Sequence, residues 1–389
     1  MPLATNKPRV LVFSTDYKPD KGGISEHAYQ VAKHLHLMGC KVIVMSVKKR
    51  GSAEFDRDQP FATYRVPPVP FFGGLLLLLW LIAVCKREKI GHVYSAITRP
   101  CCEIAFIGSL FCRYENAVVV HGYESSYEGR GLRGWLKRKL KFIRTFIYNR
   151  IHRIVAVSIY TKKILTDSGV REGKIVVLPN GVDIEKWRDD CVEEELIDRY
   201  NLSGKMIILT VGRLVRRKNH ATVIEALDIV RLKFPEVRYL IAGEGPCEEE
   251  LKMMVRNRHL ESHVIFLGRY PQEKMNKLYN TCDIFVMPNT QVGSSVEGFG
   301  IVFLEANACR KPVIAGRSGG AVDAVVDGVT GFLVEPDDVE QLAGKIIEIL
   351  SDPGLAERLG SNGYERVKKQ FTWHEITSRM MGGLNVTQN

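Results

Sequence analysis

The sequence predicts an α/β protein made of two successive doubly wound domains with mainly parallel sheets. Three observations predict it. The chain has 389 residues, too many for one ordinary core and enough for two or three domains. Short buried-strand runs alternate with helix-length patterns from Arg9 to Leu350, the rhythm of parallel βαβ units. Charge also divides the chain: residues 1–190 hold 31 Lys and Arg against 17 Asp and Glu, and the remainder holds 24 against 27. The two halves therefore face different partners, the basic one suited to nucleic acid, an anionic membrane or an anionic substrate. The expected division is residues 1–185 and 186–369, with the last stretch, 370–389, returning to pack on the first domain.

Composition excludes several classes. A hydrophobic content of 45% and a charged content of 25% are those of a soluble globular protein. The nine cysteines are odd in number and scattered, with no paired CxxC spacing, so neither a disulfide framework nor a zinc site is indicated. Reduced thiols in a cytoplasmic protein are expected. The N-terminus enters a strand pattern by Val10 without a signal-peptide core.

The first domain opens with the strand run Arg9–Ser14, the loop Asp16–Gly23 ending in Gly22-Gly23, and a helical pattern from Ile24 to Met38. Strand, Gly-rich loop and helix form the phosphate-side turn of a doubly wound sheet, although G-x-G-x-x-G is absent. Gly22-Gly23 also fits a tight turn with no ligand. Strands follow at 41–47 and 62–66. The apolar run Phe71–Cys85 is shorter than the ~20 residues of a spanning helix. It reads first as a buried domain helix, and the basic stop at Lys86-Arg87 keeps a membrane-dipping role open.

Val118–Val120 is a strand ending in His121-Gly122, and a histidine at that end lies where parallel sheets bind ligands. From Arg130 to Arg153 there are nine Lys and Arg and no acid, with apolar residues at helical spacing. This pattern fits a surface helix on anionic lipid and fits equally a helix packed on its own sheet with a solvated basic face. The charge asymmetry favours the membrane, and no nucleic-acid module accompanies the patch. Strands at 154–158 and 175–178 lead to the turn Pro179–Asp183, which closes the domain.

In the second domain, the buried strand 206–211 runs into Gly212-Arg213-Leu214-Val215-Arg216-Arg217-Lys218-Asn219. Fixed cations at a strand end suit a diphosphate: Arg grips bidentately and Lys adds a point charge. Strands at 239–242, 264–267 and 284–287 follow, each alternating with a helix. Gly243-Glu244-Gly245 starts like a dinucleotide loop, but Glu248 stands where the third glycine belongs, which argues against NAD.

The stretch Ser294–Gly320 carries the densest signal. Glu297 and Glu305 flank seven residues, among them Gly298-Phe299-Gly300 and the apolar run 301–304. A Gly-containing turn feeding such a run opens a helix whose first N–H groups attract anions, phosphate above all. The plainer reading is one Glu complementing a helix dipole and another on a solvated face.

Taken in order, Gly22-Gly23, His121-Gly122, Arg213 with Lys218, and Glu297-x7-Glu305 closely resemble the retaining family-four glycosyltransferases of GT-B fold. That resemblance implies two Rossmann-like domains with parallel sheets facing an interdomain cleft. The segment GRSGGAVDAVVDGVTGFLVEP looks like the bacterial mannosyltransferases that build envelope glycolipids. One departure is visible: Arg310 stands where the family usually has glycine, which would suit a left-handed helix end.

The resemblance implies roles at the matched positions. Arg213 and Lys218 hold the diphosphate of a nucleotide-sugar. Gly298, Phe299 and Gly300 add backbone donors. Glu297 contacts the sugar and Glu305 the ribose. Gly22 and Gly23 approach the phosphate, His121 sits by the sugar's reacting face, and backbone near Arg269 and Tyr270 meets the base. Glu297, His121, Arg213 and Lys218 form the expected catalytic set, with no metal and no cofactor. The expected donor is GDP-mannose, with UDP-glucose or UDP-N-acetylglucosamine the alternative. The expected acceptor is lipid-linked or an envelope glycan, met at the inner face of a membrane. Two other readings stay open: a nucleotide-sugar epimerase of the same fold, and a peripheral membrane protein on a degenerate transferase scaffold.

Overall fold

The computed structural model describes residues 7–69, 72–122 and 142–383. It divides into two compact units, Met1–Gly181 with Trp373–Asn389, and Val182–Thr372.

Unit 1 runs β1 (Arg9–Phe13), α1 (Gly23–Leu37), β2 (Lys41–Val47), α2 (Ser52–Arg57), β3 (Ala62–Val66), α3 (Gly73–Glu88), β4 (His92–Ser95), α4 (Glu103–Gly108) and β5 (Glu115–Val120). Next come a helix over 142–148, here α5, then β6 (Arg153–Ala156), α6 (Ile159–Asp167) and β7 (Ile175–Val177). Its seven strands are ordered β3-β2-β1-β4-β5-β6-β7 and all pair in parallel. The order reverses between β1 and β4, and a crevice opens at the carboxyl ends of strands where it does so. The loop after β1, with Gly22-Gly23, and the loops after β4 and β5 therefore gather at one end of this sheet.

Unit 2 repeats the plan with α7 (Glu194–Tyr200), β8 (Ile207–Val211), α8 (His220–Lys233), β9 (Arg238–Ala242), α9 (Glu248–Asn257), β10 (Val264–Gly268), α10 (Met275–Thr281) and β11 (Ile284–Met287). It continues with α11 (Ile301–Ala308), β12 (Val313–Gly316), α12 (Ala321–Ala324), β13 (Gly331–Val334), α13 (Val339–Ser351) and α14 (Pro353–Gln370). The six parallel strands are ordered β10-β9-β8-β11-β12-β13, so the switch lies between β8 and β11. Strands buried on both faces need continuous apolar runs, and IILTV and IFVM supply them. The last helix, α15 (Trp373–Gly383), belongs to unit 1 and packs on α1.

Three local outcomes differ from the sequence reading. Strand β4, HVYS, carries too little apolar signal to be seen in sequence, yet it is hydrogen-bonded between β1 and β5. Helix α3 buries only one side, through Leu77, Leu81, Val84 and Cys85, while Leu75 and Leu79 stay exposed. It is therefore amphipathic in place rather than wholly buried, and no described helix is long and apolar enough to cross a membrane. Of the basic segment 130–153, the residues before 142 lie outside the described residues; within α5, Ile147 and Tyr148 pack into the core while Phe142 and Phe146 face out.

Arg310 adopts the left-handed conformation that glycine favours, with φ 54°. Its guanidinium stacks 4.2 Å over the Tyr364 ring, a contact that offsets the roughly 1 kcal/mol that conformation costs a residue with a Cβ. Helix α11 thus ends as a glycine would end it.

Candidate active site

In unit 2 the switch point sets the loop after β8 beside the loop after β11. Backbone bonds sew the strand-end loops together: Leu214 N donates to Glu244 O at 3.0 Å, and Thr290 N to Arg217 O at 2.8 Å. This close stacking explains Gly243, where a Cβ would lie 1.9 Å from Gly212 O. The glycine that began like a dinucleotide motif is thus there for loop packing. Asn219 locks the other side, donating to Pro288 O at 3.1 Å and Pro336 O at 2.7 Å.

The result is a charged cluster that sequence spacing did not show. Lys218 Nζ lies 2.6 Å from Glu297 Oε2, and Arg217 Nη1 donates to the same oxygen. Burial pushes the Glu297 carboxyl up, but Lys218 and Arg217 outweigh it and hold it below the usual carboxylate range. Glu297 is therefore an ionised, fixed hydrogen-bond acceptor. Arg217 is the residue that sequence reasoning passed over, one of three consecutive cations with nothing to single it out. Arg213 lies exposed on the same loop. His220, behind Lys218, donates or accepts at Tyr239 OH over 3.1 Å and is pushed down to about 4, first by burial and then by Lys218.

Glu297 is followed by the turn that opens α11. Gly300 is its N-cap, at φ 84°, and no side chain caps this end. Phe299 is buried against Phe371, ring centroids 6.0 Å apart, so only its backbone is available to a ligand. Gly320 supports the turn from below: its N–H donates to Glu297 O at 2.8 Å, and a Cβ there would sit 2.0 Å from Gly298 O. Glu305 lies in the second turn of α11 and accepts from Tyr279 OH at 2.9 Å. After β10, the exposed Arg269 side chain pairs with Glu244 at 3.7 Å, while burial and then Glu193 raise the Tyr270 hydroxyl to about 12.

In unit 1, Gly22 and Gly23 are exposed at the start of α1, with nothing within 4 Å of a Cβ at either. His121 lies past β5, its Nε2 3.2 Å from Ala96 O; a carbonyl only accepts, so Nε2 carries the proton and Nδ1 is an acceptor. Edge-on to His121, with ring centroids 5.0 Å apart, is His27 of α1, which sequence reasoning also passed over. His27 Nδ1 is 2.9 Å from Asn180 Oδ1, its Nε2 is 2.8 Å from Tyr94 OH, and its ring meets Trp373 edge-on at 5.5 Å. The available signal was a polar residue on the buried side of α1, among Ala28, Val31 and Leu35.

Burial pushes His27 down to about 3 and His121 down to about 4, so both are neutral near pH 7. In the unfolded chain both return to the ordinary 6.5. Below 6.5 the unfolded state therefore binds more protons, down to about 4 for His121 and about 3 for His27, and the stability these histidines contribute is full above 6.5 and lost as pH falls through that window. Thermal unfolding is expected to show a midpoint that drops on acidification from pH 6.5 and flattens in His27→Asn; an unchanged pH slope in that variant contradicts the assignment.

Residues 21–186 match the Glycosyltransferase Family 4 model, and residues 192–366 match the Glycosyl transferases group 1 model. The chain is 30% identical over 385 residues to the GDP-mannose-dependent alpha-(1-6)-phosphatidylinositol monomannoside mannosyltransferase of Mycolicibacterium smegmatis, covering 95% of this chain and 97% of that one. It is 32% identical over 333 residues to the capsular polysaccharide biosynthesis glycosyltransferase CapM of Staphylococcus aureus, covering 80% and 81%. The fold is also that of Anabaena HepE, solved in complex with UDP, at TM-score 0.80 and 21% identity over 98% of this chain and 100% of that one. A glycosyltransferase from Rickettsia africae gives TM-score 0.80 and 23% identity over 98% of each chain. The chain therefore belongs to the family-four glycosyltransferases of GT-B fold and is itself a glycosyltransferase.

Proposed function

We propose that this protein is a retaining mannosyltransferase that moves mannose from GDP-mannose to a lipid-linked or envelope glycan acceptor without using a metal ion. The observation that carries the donor half of this reading is the convergence of Lys218 and Arg217 on Glu297 at the mouth of an uncapped helix. An ionised carboxylate held rigid by two cations is ready to accept from sugar hydroxyls. The adjacent Lys218, Arg213 and the backbone N–H groups of Gly298–Gly300 are the donors a diphosphate needs. Mannose and a lipid acceptor follow from the likeness to the phosphatidylinositol monomannoside mannosyltransferases, which are GDP-mannose-dependent.

Within this reading each residue has a task. As the C1–O bond breaks, negative charge grows on the departing diphosphate, and Arg213 and Lys218 stabilise it in place of a metal. Glu305 takes the ribose hydroxyls, with Tyr279 fixing its orientation. Backbone near Arg269 and Tyr270 meets the base, since the Arg269 side chain is paired elsewhere. Gly22 and Gly23 serve the phosphate, and His121 offers Nδ1 as an acceptor to the sugar. Glu297 stays a binding group and is not the nucleophile: an oxygen gripped by two cations is a poor attacker. Substitution then proceeds on the front face, with the acceptor oxygen bonding C1 while its proton passes to the departing phosphate.

A thermal-shift panel of GDP-mannose, GDP, UDP-glucose and UDP-N-acetylglucosamine tests the donor. GDP-mannose and GDP are expected to raise the unfolding midpoint most, because a ligand that binds only the folded state stabilises it more, at a given concentration, the tighter it binds. A larger shift with a UDP-sugar overturns the assignment of base and sugar and leaves the glycosyltransferase fold untouched.

A further inference from the structure

Three consecutive cations lie on the loop after β8, and they do not share one fate. Residues 216–218 form a single 3₁₀ turn, in which successive side chains diverge by about 120°. Arg216 turns outward to Glu250 at 3.3 Å. Arg217 and Lys218 reach Glu297 from two directions and both engage its Oε2. The side chains of Arg217, Lys218 and Glu297 are 23%, 9% and 12% exposed, so water is a poor substitute for a missing partner.

The neighbouring charges are committed elsewhere. Arg317, on the loop after β12, pairs with Asp327 at 2.9 Å and Glu335 at 3.2 Å. From that loop it is the Gly320 N–H that meets Glu297, at its backbone oxygen. Glu305 of α11 accepts from Tyr279 OH, and His220 sits behind Lys218, pushed down to about 4 and neutral near pH 7. Burial is the largest influence on the Glu297 carboxyl and raises it, so its ionised state depends on Lys218 and Arg217 together.

Lys218 therefore faces two anions. Its Nζ lies 2.6 Å from Glu297 Oε2, and the diphosphate of a donor needs the same ammonium. A Cβ at Gly212 would come within 3.4 Å of Lys218 Cε and 3.8 Å of Nζ, so glycine there leaves the lysine stem room to move. Arg217 is anchored instead: Thr290 N donates to its backbone oxygen at 2.8 Å, tying it to the loop that carries Glu297.

We propose that Arg217 is the positioning residue of this site: when a diphosphate arrives, Lys218 exchanges Glu297 for it, and Arg217 keeps Glu297 ionised and in place for the sugar. This rests on the diphosphate site proposed above and gives a task to a cation left without one there. In the empty site the lysine helps neutralise the carboxylate. In the loaded site it neutralises the phosphate, and the arginine holds the carboxylate alone.

Calorimetric titration of the full chain with GDP and with UDP, from about pH 6 to about pH 8, tests the exchange, since both nucleotides carry the same diphosphate. Glu297→Gln should bind them at least as tightly as the parent, because Lys218 no longer has a carboxylate to leave. Arg217→Gln should weaken both by about tenfold or more at the upper pH, where Glu297 is left charged without a cation. That deficit should shrink as pH falls, since Glu297 then takes up a proton on binding, and such uptake makes affinity fall as pH rises. Arg217→Lys keeps the charge and should restore parental behaviour. Arg217→Gln added to Glu297→Gln should change nothing further. Weaker binding by Glu297→Gln overturns the exchange. So does a deficit in Arg217→Gln that is the same at every pH, as a merely structural role would give, or one that persists without the carboxylate. A parent chain that binds neither nucleotide refutes the diphosphate site itself, and the exchange with it. A parent that binds UDP and not GDP changes the base alone, and the UDP series then decides the exchange.

Discussion

Glu297→Gln is expected to lower kcat by a factor on the order of 10² to 10³ in a chain that still folds, since one preorganised hydrogen-bonding group in an active site is commonly worth that much. Glutamine keeps an acceptor oxygen and the shape of the loop but removes the charge that balances Lys218 and Arg217. That balance is structural as well as catalytic. The side chains of Glu297 and Lys218 are only 12% and 9% exposed, and breaking such a pair costs about 3–5 kcal/mol where no substitute acceptor remains. Glu297→Ala is the harsher change for that reason, and its loss of turnover has to be separated from loss of fold by circular dichroism. Near-parental kcat in folded Glu297→Gln removes the residue from the site.

Arg213→Ala combined with Lys218→Ala is expected to weaken free nucleoside diphosphate and nucleotide-sugar together, by a factor on the order of 10² to 10⁴. Charge-assisted hydrogen bonds contribute about 1.5–3 kcal/mol each, and both residues serve the diphosphate that the two ligands share. The loss should therefore appear in calorimetric titration with GDP alone, before any sugar is present. Unchanged GDP affinity contradicts the assigned role. Loss of affinity for the nucleotide-sugar alone relocates the two cations to the sugar.

Unit 2 was the more legible half in sequence. Its strands are uninterrupted apolar runs, and a Gly-Phe-Gly turn before Ile301–Leu304 marks a helix start by local chemistry alone. Partnerships were not legible, because they depend on strand order. Arg217 and Glu297 are eighty residues apart, and only the reversal between β8 and β11 sets their loops side by side. In unit 1, β4 was hidden because HVYS owes its burial to its neighbours rather than to its composition. The apolar run ending at Cys85 concealed the opposite feature: leucine on both sides of α3 masks the fact that only one side is buried. His27 was hidden inside a helical pattern it does not disturb. Arg310 departs from a family preference yet keeps the left-handed geometry, because a stacked Tyr364 stands by it.

The proposal that this chain transfers a sugar with retention, through a front-face substitution in which Glu297 only binds, is tested most directly by the anomeric configuration of the first product. Proton NMR of GDP-mannose turnover, recorded before mutarotation, is expected to show α-mannose released to water or α-linked to acceptor. A β product contradicts retention, and a mannosyl group covalently trapped on an aspartate or glutamate contradicts the front-face route.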